Sequence, residues 1–325
     1  MIEPCFRPMR CATLPHLVWC IALVVLCLAG ATTSPFARVV VMGASVSDGF
    51  GVRLRATLPD GRRPTATVSL CTVLQAACTD KQSQFHDLST DMYFLDPAGT
   101  AQRTAAEAIA KKPTLVLAID WLFWNGYGVR GLRDAPLVTC EDRLALLDHA
   151  LQQLQPLAAQ GIPIVLGDFP DMHTAIGGGM LSEEMVPSAD CVSQLNVRVQ
   201  AWCATRPNVA LMKLSEVVQC AVNKTPVTVC GRTWNEAELG PLMQSDRLHP
   251  TLNGSILILA VALESADRVT GGTTTPAVQM DPGPLRAKLL DGIKAAAPKN
   301  APPTTDSKVP ALPPSAERSQ SLQSP

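Results

Sequence analysis

Ser45, Asp246 and His249 are the residues of this chain whose types and spacing could do chemistry together. Ser45 lies in Gly43-Ala44-Ser45-Val46-Ser47-Asp48-Gly49, a run of small residues that leaves a hydroxyl room to meet a carbonyl. Asp246 and His249 stand three residues apart in Ser245-Asp246-Arg247-Leu248-His249-Pro250. In a tight turn that spacing can set the carboxylate on imidazole Nδ1, leaving Nε2 to accept a proton and stabilising the imidazolium that results. A serine hydroxyl beside Nε2 then becomes a nucleophile toward an ester. Ser47 is a rival hydroxyl, but Ser45 stands nearer the preceding strand. His86, His149 and His173 read as solvated loop or surface residues. No CxxC pair or His-Cys cluster suggests a metal site. Gly177-Gly178-Gly179 lacks the lysine and the strand–helix setting of a nucleotide loop. No cofactor is implied.

The elements that would position these residues are legible around them. Residues 39–42 form an apolar, β-branched run that reads as a strand buried on both faces. The run stops at Gly43, which puts Ser45 at the carboxyl edge of a sheet, where open α/β folds bind ligands. Residues 65–71, 114–119, 164–166 and 209–214 read as further strands, and 80–90 as a loop holding His86. Residues 101–111, 141–159, 191–202 and 251–269 read as helices; the second spaces Leu144, Leu147, Leu151 and Leu154 helically and opens on acidic residues. Helices alternating with short apolar strands predict an α/β fold, a parallel sheet covered on both faces.

Composition narrows the function. A net charge of -1 with 17% charged residues excludes nucleic acid as an implied partner, and 47% hydrophobic residues allow a large core. Residues 1–31 carry Arg7 and Arg10, an apolar run from Leu17 to Leu28, and Ala29-Gly30-Ala31, the plan of an export signal cleaved near Ala31. That run is far shorter than the about 20 residues a membrane span needs, so no stable span is expected after cleavage. The mature protein is expected in the periplasm or outside the cell. Four of the 11 cysteines lie in this segment. Among the rest, Cys71 with Cys78 and Cys220 with Cys230 close short loops and read as disulfides. Cys191 and Cys203, on one helix, would stand roughly 18 Å apart, too far to pair. Beyond about residue 270 the chain turns rich in Pro, Ala, Thr, Ser and Gln. Residues 284–297 could form a short helix, and 298–325 hold too little apolar content to fold. The expected plan is a signal over 1–31, one domain over 37–270 and a largely disordered tail over 271–325.

The serine loop and the Asp-x-x-His-Pro segment, in that order and separation, resemble the SGNH (GDSL-like) hydrolases. The first block of that family, Gly-Asp-Ser followed by small residues, resembles 43–49 here, and its last block matches 246–250, with Asn253 and Gly254 following. Gly99 and the approach Lys112-Pro113-Thr114-Leu115-Val116-Leu117 resemble the middle of the pattern. The likeness covers about residues 39–269 and implies a three-layer α/β/α sandwich of flavodoxin-like type. It implies Ser45 as nucleophile, His249 as base and then acid, and Asp246 as the group that orients His249. The expected activity is hydrolysis of carboxylic esters of lipids, small molecules or acetylated sugars. A non-catalytic glycan- or ligand-binding protein and an acyltransferase are the alternatives.

Two departures bear on the chemistry. Ala44 replaces the aspartate of the first block, and Asp120 stands where the third block has an asparagine. An ionised carboxylate there would repel the developing oxyanion, and losing one such donor costs about 3 kcal/mol. Asp120 is then protonated, or it points away while Asn125 supplies an amide, or the backbone N–H groups of Ser45 and Gly99 suffice. Trp121, Trp124 and Tyr127 are expected to wall a substrate pocket. Asp168, after the strand at 164–166, either lines the same edge or braces its loop.

Overall fold

The computed structural model describes residues 34–298; the expected export signal and residues 299–325 lie outside the described residues. In chain order the first elements are strand β1 (Arg38–Val41), helix α1 (Ser45–Asp48), strands β2 (Arg53–Arg55) and β3 (Thr65–Thr67), and helix α2 (Leu70–Ala77). Strand β4 (Gln84–Asp87), helix α3 (Pro97–Ala110), strand β5 (Leu115–Ala118) and helices α4 (Phe123–Gly126) and α5 (Cys140–Ala159) follow. Then come β6 (Ile164–Gly167), α6 (Ala189–Ala204), β7 (Val209–Met212) and α7 (Leu214–Val222). The hairpin β8 (Val227–Val229) and β9 (Arg232–Trp234), α8 (Glu236–Leu239), α9 (Leu252–Thr270) and α10 (Pro282–Ala296) complete the described chain.

Five strands form one parallel sheet in the order β4-β1-β5-β6-β7. Helices α3, α5 and α6 pack together on one face, and α2, α9 and α10 on the other, giving the three-layer α/β/α sandwich. The chain leaves β1 outward to β4 and then returns to β5 on the opposite side, so strand order reverses beside β1. Ligands of open α/β sheets bind outside the carboxyl ends at such a point. Both neighbours of β1 are in register with it, and Val39, Val40 and Val41 are fully buried, which is why that stretch is unbroken apolar sequence.

Three elements depart from the sequence reading. The strand expected over 65–71 is only β3, which pairs with β2 outside the main sheet. From Ser69 the chain turns into α2, because the Ser69 hydroxyl caps the Thr72 N–H and Leu70, Val73, Leu74 and Ala77 make one apolar helical face. Within the expected loop 80–90, residues 84–87 form the edge strand β4, whose half-exposed Gln-Phe-His-Asp lacks an apolar run. Helix α7 begins two residues after β7, within what read as the end of a strand. Past residue 270, α10 packs Leu285 and Leu289 into the core beside α2.

The cysteine pairing is different from the one expected. Cys71 lies in α2 and Cys78 just beyond its end, and seven residues of helical rise separate them by roughly 10 Å, outside disulfide reach. Cys220 ends up near the close of α7 and Cys230 at the hairpin turn, where its thiol faces the Ala260 carbonyl; neither is bonded. The disulfide joins Cys140 to Cys191 across 51 residues, with Cα atoms 5.6 Å apart, tying the start of α5 to the start of α6. Among the described residues no helix is long and apolar enough to cross a membrane.

Candidate active site

Ser45 is the first residue of α1, directly beyond the carboxyl end of β1, and His249 reaches it from 204 residues away. His249 Nε2 lies 2.9 Å from Ser45 Oγ, and His249 Nδ1 lies 2.8 Å from Asp246 Oδ2. The turn that makes the second contact is closed by Asp246 itself, whose Oδ1 accepts the backbone N–H of Leu248 and of His249, each at 3.0 Å. Arg247 takes a left-handed φ of 57° to allow that turn. His249 is buried, with the Phe50 ring tilted against it at 4.5 Å. Burial alone would raise the Asp246 carboxyl, but the hydrogen bonds from the His249 ring and backbone and from Leu248 outweigh it and hold the carboxyl below its ordinary value.

Gln244 locks the two segments together, and nothing in the sequence singled it out. Its Nε2 donates to the carbonyls of Phe50 and Pro250, each at 2.8 Å, while its backbone N–H donates to the His249 carbonyl at 2.8 Å. A Cβ at Gly51 would meet the Gln244 amide at 2.3 Å, so this close approach requires glycine. Its only sequence signal was position, five residues before the histidine.

Asp120, at the end of β5, grips the serine loop from below. Its Oδ2 accepts the N–H of Val46 at 2.8 Å and of Ser47 at 3.3 Å, and its Oδ1 accepts the Ser47 hydroxyl at 2.5 Å. Gly43 makes room, since a Cβ there would lie 2.1 Å from the carboxylate. Burial raises the Asp120 carboxyl above its ordinary value, opposed by the hydrogen bonds from Ser47 and the loop amides. Both oxygens accept hydrogen bonds from the serine loop, and Asp120 also borders the cavity beside Ser45. Ser47, the rival hydroxyl, is fully buried and bonded to Asp120.

Several residues expected at the site belong elsewhere. The Gly99 N–H caps α3 by donating to Asp96 Oδ1 at 2.9 Å, so it is not free for an oxyanion. Asn125 is fully buried and accepts the Tyr93 hydroxyl at 3.3 Å; its Nδ2 has no partner among the described residues. Trp121 is core, its Nε1 donating to the Thr104 hydroxyl at 2.8 Å. Tyr127 is also core, stacked on Phe123 and donating its hydroxyl to the Pro170 carbonyl at 2.5 Å, and Trp124 packs edge-on against Phe123. The reason is local: α4, within their loop, packs against α5 and α3. Asp168 is the brace of the two readings, accepting the Ser215 N–H at 2.7 Å and hydroxyl at 2.8 Å at the start of α7.

A cavity opens beside Ser45, and of the aromatics after β5 only Phe123 lines it. Arg143 of α5 is a buried guanidinium that makes no ion pair among the described residues. It donates to the carbonyls of Gly126 at 2.7 Å, Gly128 at 3.3 Å, Glu184 at 3.2 Å and Leu137 at 3.4 Å. Among the described residues no three His, Cys, Asp or Glu side chains converge as metal ligands would.

The site and sheet define an α/β fold with a serine, a histidine and an aspartate in hydrogen-bonded series at its carboxyl edge. The chain matches no protein-family model and no curated protein. Among solved structures, it is similar at 15% identity to a candidate GDSL-like lipase from Parabacteroides merdae, with a TM-score of 0.43, over 71% of this chain and 95% of that one. It is similar at 12% identity to a gut microbial diltiazem-metabolizing enzyme, with a TM-score of 0.42, over 70% of this chain and 46% of that one. A third, at 14% identity and a TM-score of 0.32, is the N-terminal part of a Bacteroides fragilis protein containing a phosphatase domain, over 56% of this chain and 41% of that one. The chain thus spans under half the length of two of the three.

Proposed function

We propose that this protein is an exported serine hydrolase that cleaves carboxylic esters through Ser45, His249 and Asp246. The observation that carries the reading is the unbroken series Ser45 Oγ to His249 Nε2 at 2.9 Å and His249 Nδ1 to Asp246 at 2.8 Å. Ser45 Oγ attacks the ester carbonyl as its proton passes to Nε2. Asp246, held ionised by its hydrogen bonds, stabilises the imidazolium and keeps Nδ1 protonated. The Ser45 N–H donates to no other group among the described residues and is the donor for the oxyanion. Collapse of the tetrahedral intermediate breaks the ester C–O bond, and His249 returns the proton to the leaving alcohol. Water then repeats the cycle on the acyl-enzyme, releasing the acid.

Export is supported by the composition of residues 1–31 and by the Cys140–Cys191 disulfide, which persists in oxidising compartments. The glycan-binding alternative draws on Asp120 standing where an oxyanion donor is expected; Asp120 borders the cavity and accepts hydrogen bonds from Val46 and Ser47, so it is an acceptor there. The test is labelling of the mature protein with a fluorophosphonate, followed by peptide mass spectrometry. The reading requires the adduct on Ser45, and loss of both adduct and ester hydrolysis in Ser45→Ala. An unlabelled wild-type protein that turns over no activated ester would overturn it, and hydrolysis outpaced by transfer to added alcohols would mark an acyltransferase.

A further inference from the structure

The outer face of the β2–β3 hairpin carries positive charge with no carboxylate to answer it. The two strands pair Arg53 with Thr67, Leu54 with Ala66 and Arg55 with Thr65. Alternation sends Leu54 and Ala56 inward, where they are buried as β2 packs on α10, and sends Arg53, Arg55 and Thr57 outward. The pairing continues through the Ala56 N–H, which donates to the Pro64 carbonyl at 2.9 Å, so the exposed Arg63, Thr65 and Thr67 complete the same face. Guanidiniums and hydroxyls thus share one solvent surface. Five other arginines, Arg103 and Arg198 among them, each pair with an aspartate, whereas Arg53, Arg55 and Arg63 hold no ion pair among the described residues. With a net charge of -1 for the whole chain, this is a local excess.

Unpaired guanidiniums in a fixed array suit anions, since each offers a planar fork of N–H donors to a carboxylate or phosphate. Arg53, Arg55, Thr65 and Thr67 border a groove of about 370 Å3, in which each arginine stands directly across from a threonine. An occupant that complements this groove carries both anions and hydroxyls, repeated along a chain. The face holds no large apolar side chain that could enter a bilayer, which sets a membrane surface aside. We propose that this face docks an acidic polysaccharide, with uronate carboxylates on Arg53, Arg55 and Arg63 and sugar hydroxyls on the threonines. Arg53 follows Phe50 by three residues, about 10 Å of chain at strand rise. The Phe50 ring lies against His249, so the polymer is held beside the candidate active site. Docking itself does not depend on Ser45 turning over an ester.

The experiment titrates fluorescein-labelled polygalacturonate with the mature protein and reads anisotropy. Binding is expected at low salt and is expected to weaken at least about ten-fold between about 50 and about 300 mM NaCl, as screening requires. Arg53→Glu with Arg55→Glu is expected to weaken it at least about ten-fold at low salt, and Arg53→Ser with Arg55→Ser by less, because reversed charges also repel. Lys111→Glu with Arg133→Glu, an equal charge change outside the hairpin, is expected to bind as the wild type does. Fluorophosphonate labelling of Ser45 and hydrolysis of p-nitrophenyl acetate are expected unchanged in every variant, which shows that each is folded and keeps docking separate from the hydrolase reading. A wild type that does not bind polygalacturonate at low salt, or hairpin variants that bind no more weakly than the control pair, overturns the docking face. Binding to phosphatidylglycerol vesicles in preference to the polymer also overturns it and marks a membrane surface instead. Polymer binding with no label and no turnover overturns the hydrolase reading alone.

Discussion

Ser45 and Ser47 stand two residues apart on the same helical turn, and each is bonded to a different kind of partner. Ser45 meets an imidazole whose far side is held by the half-buried Asp246; Ser47 meets the fully buried Asp120 directly. The two carboxyls are displaced in opposite directions, Asp246 below its ordinary value and Asp120 above it. Asp246 keeps its charge beside the His249 ring, as the proposed hydrolysis would require. Asp120 spends its oxygens on two amides and a hydroxyl, which suits holding a loop. Burial and the identity of the donors, not residue type, separate the two roles.

The sharpest way to break this contrast is to exchange the serines. Ser45→Ala is expected to lower kcat for an activated ester by about 10^6-fold, whereas Ser47→Ala keeps the fluorophosphonate adduct on Ser45. An adduct that appears on Ser47 would reverse the assignment. Asp246→Asn comes next, with kcat expected to fall about 10^3- to 10^4-fold because the wrong tautomer is favoured, and with little change in the urea midpoint. Asp120→Ala is expected to destabilise the fold by about 3 kcal/mol in urea unfolding, since it strands buried donors of the serine loop. Ser47→Ala removes a single charged hydrogen bond and is expected to cost about 1.5–3 kcal/mol.

The smallest effect is on pH dependence, and its sign differs between the two carboxyls. Asp120, raised in the folded state, contributes stability that is complete below its unfolded value and is lost as pH rises through its folded one. Asp246, lowered, contributes stability that is present above its unfolded value and is lost as pH falls through its folded one. Urea midpoints followed from acid to neutral pH should therefore lose their acid-side slope in Asp246→Asn. Ser47→Ala should steepen the fall on the neutral side, because it removes a bond that opposes the rise of Asp120.

What could be read from the sequence was what is encoded locally. The core strands announce themselves because a strand buried on both faces must be apolar throughout, as at 39–41 and 115–118. The Asp246–His249 contact is likewise a matter of three residues in one turn. The edge strand β4 escaped because one open side permits polar residues, and α2 escaped because its Ser69 cap follows directly on a strand. Trp121 and Tyr127 were misplaced because an aromatic run after a strand fits a pocket wall and a loop core equally well. Only their hydrogen bonds to Thr104 and Pro170 decide between the two. The Cys140–Cys191 bond and the reach of Gln244 across 194 residues depend on tertiary approach, which spacing along the chain does not express.

Arg143 carries a consequence for how the loops after α4 and before α6 are held. One planar cation ties four carbonyls from three stretches of chain, and a lysine, with a single compact ammonium, could not span them all. Three stretches far apart in the sequence are therefore pinned to one another at a single buried point, and loosening that point would loosen all three together.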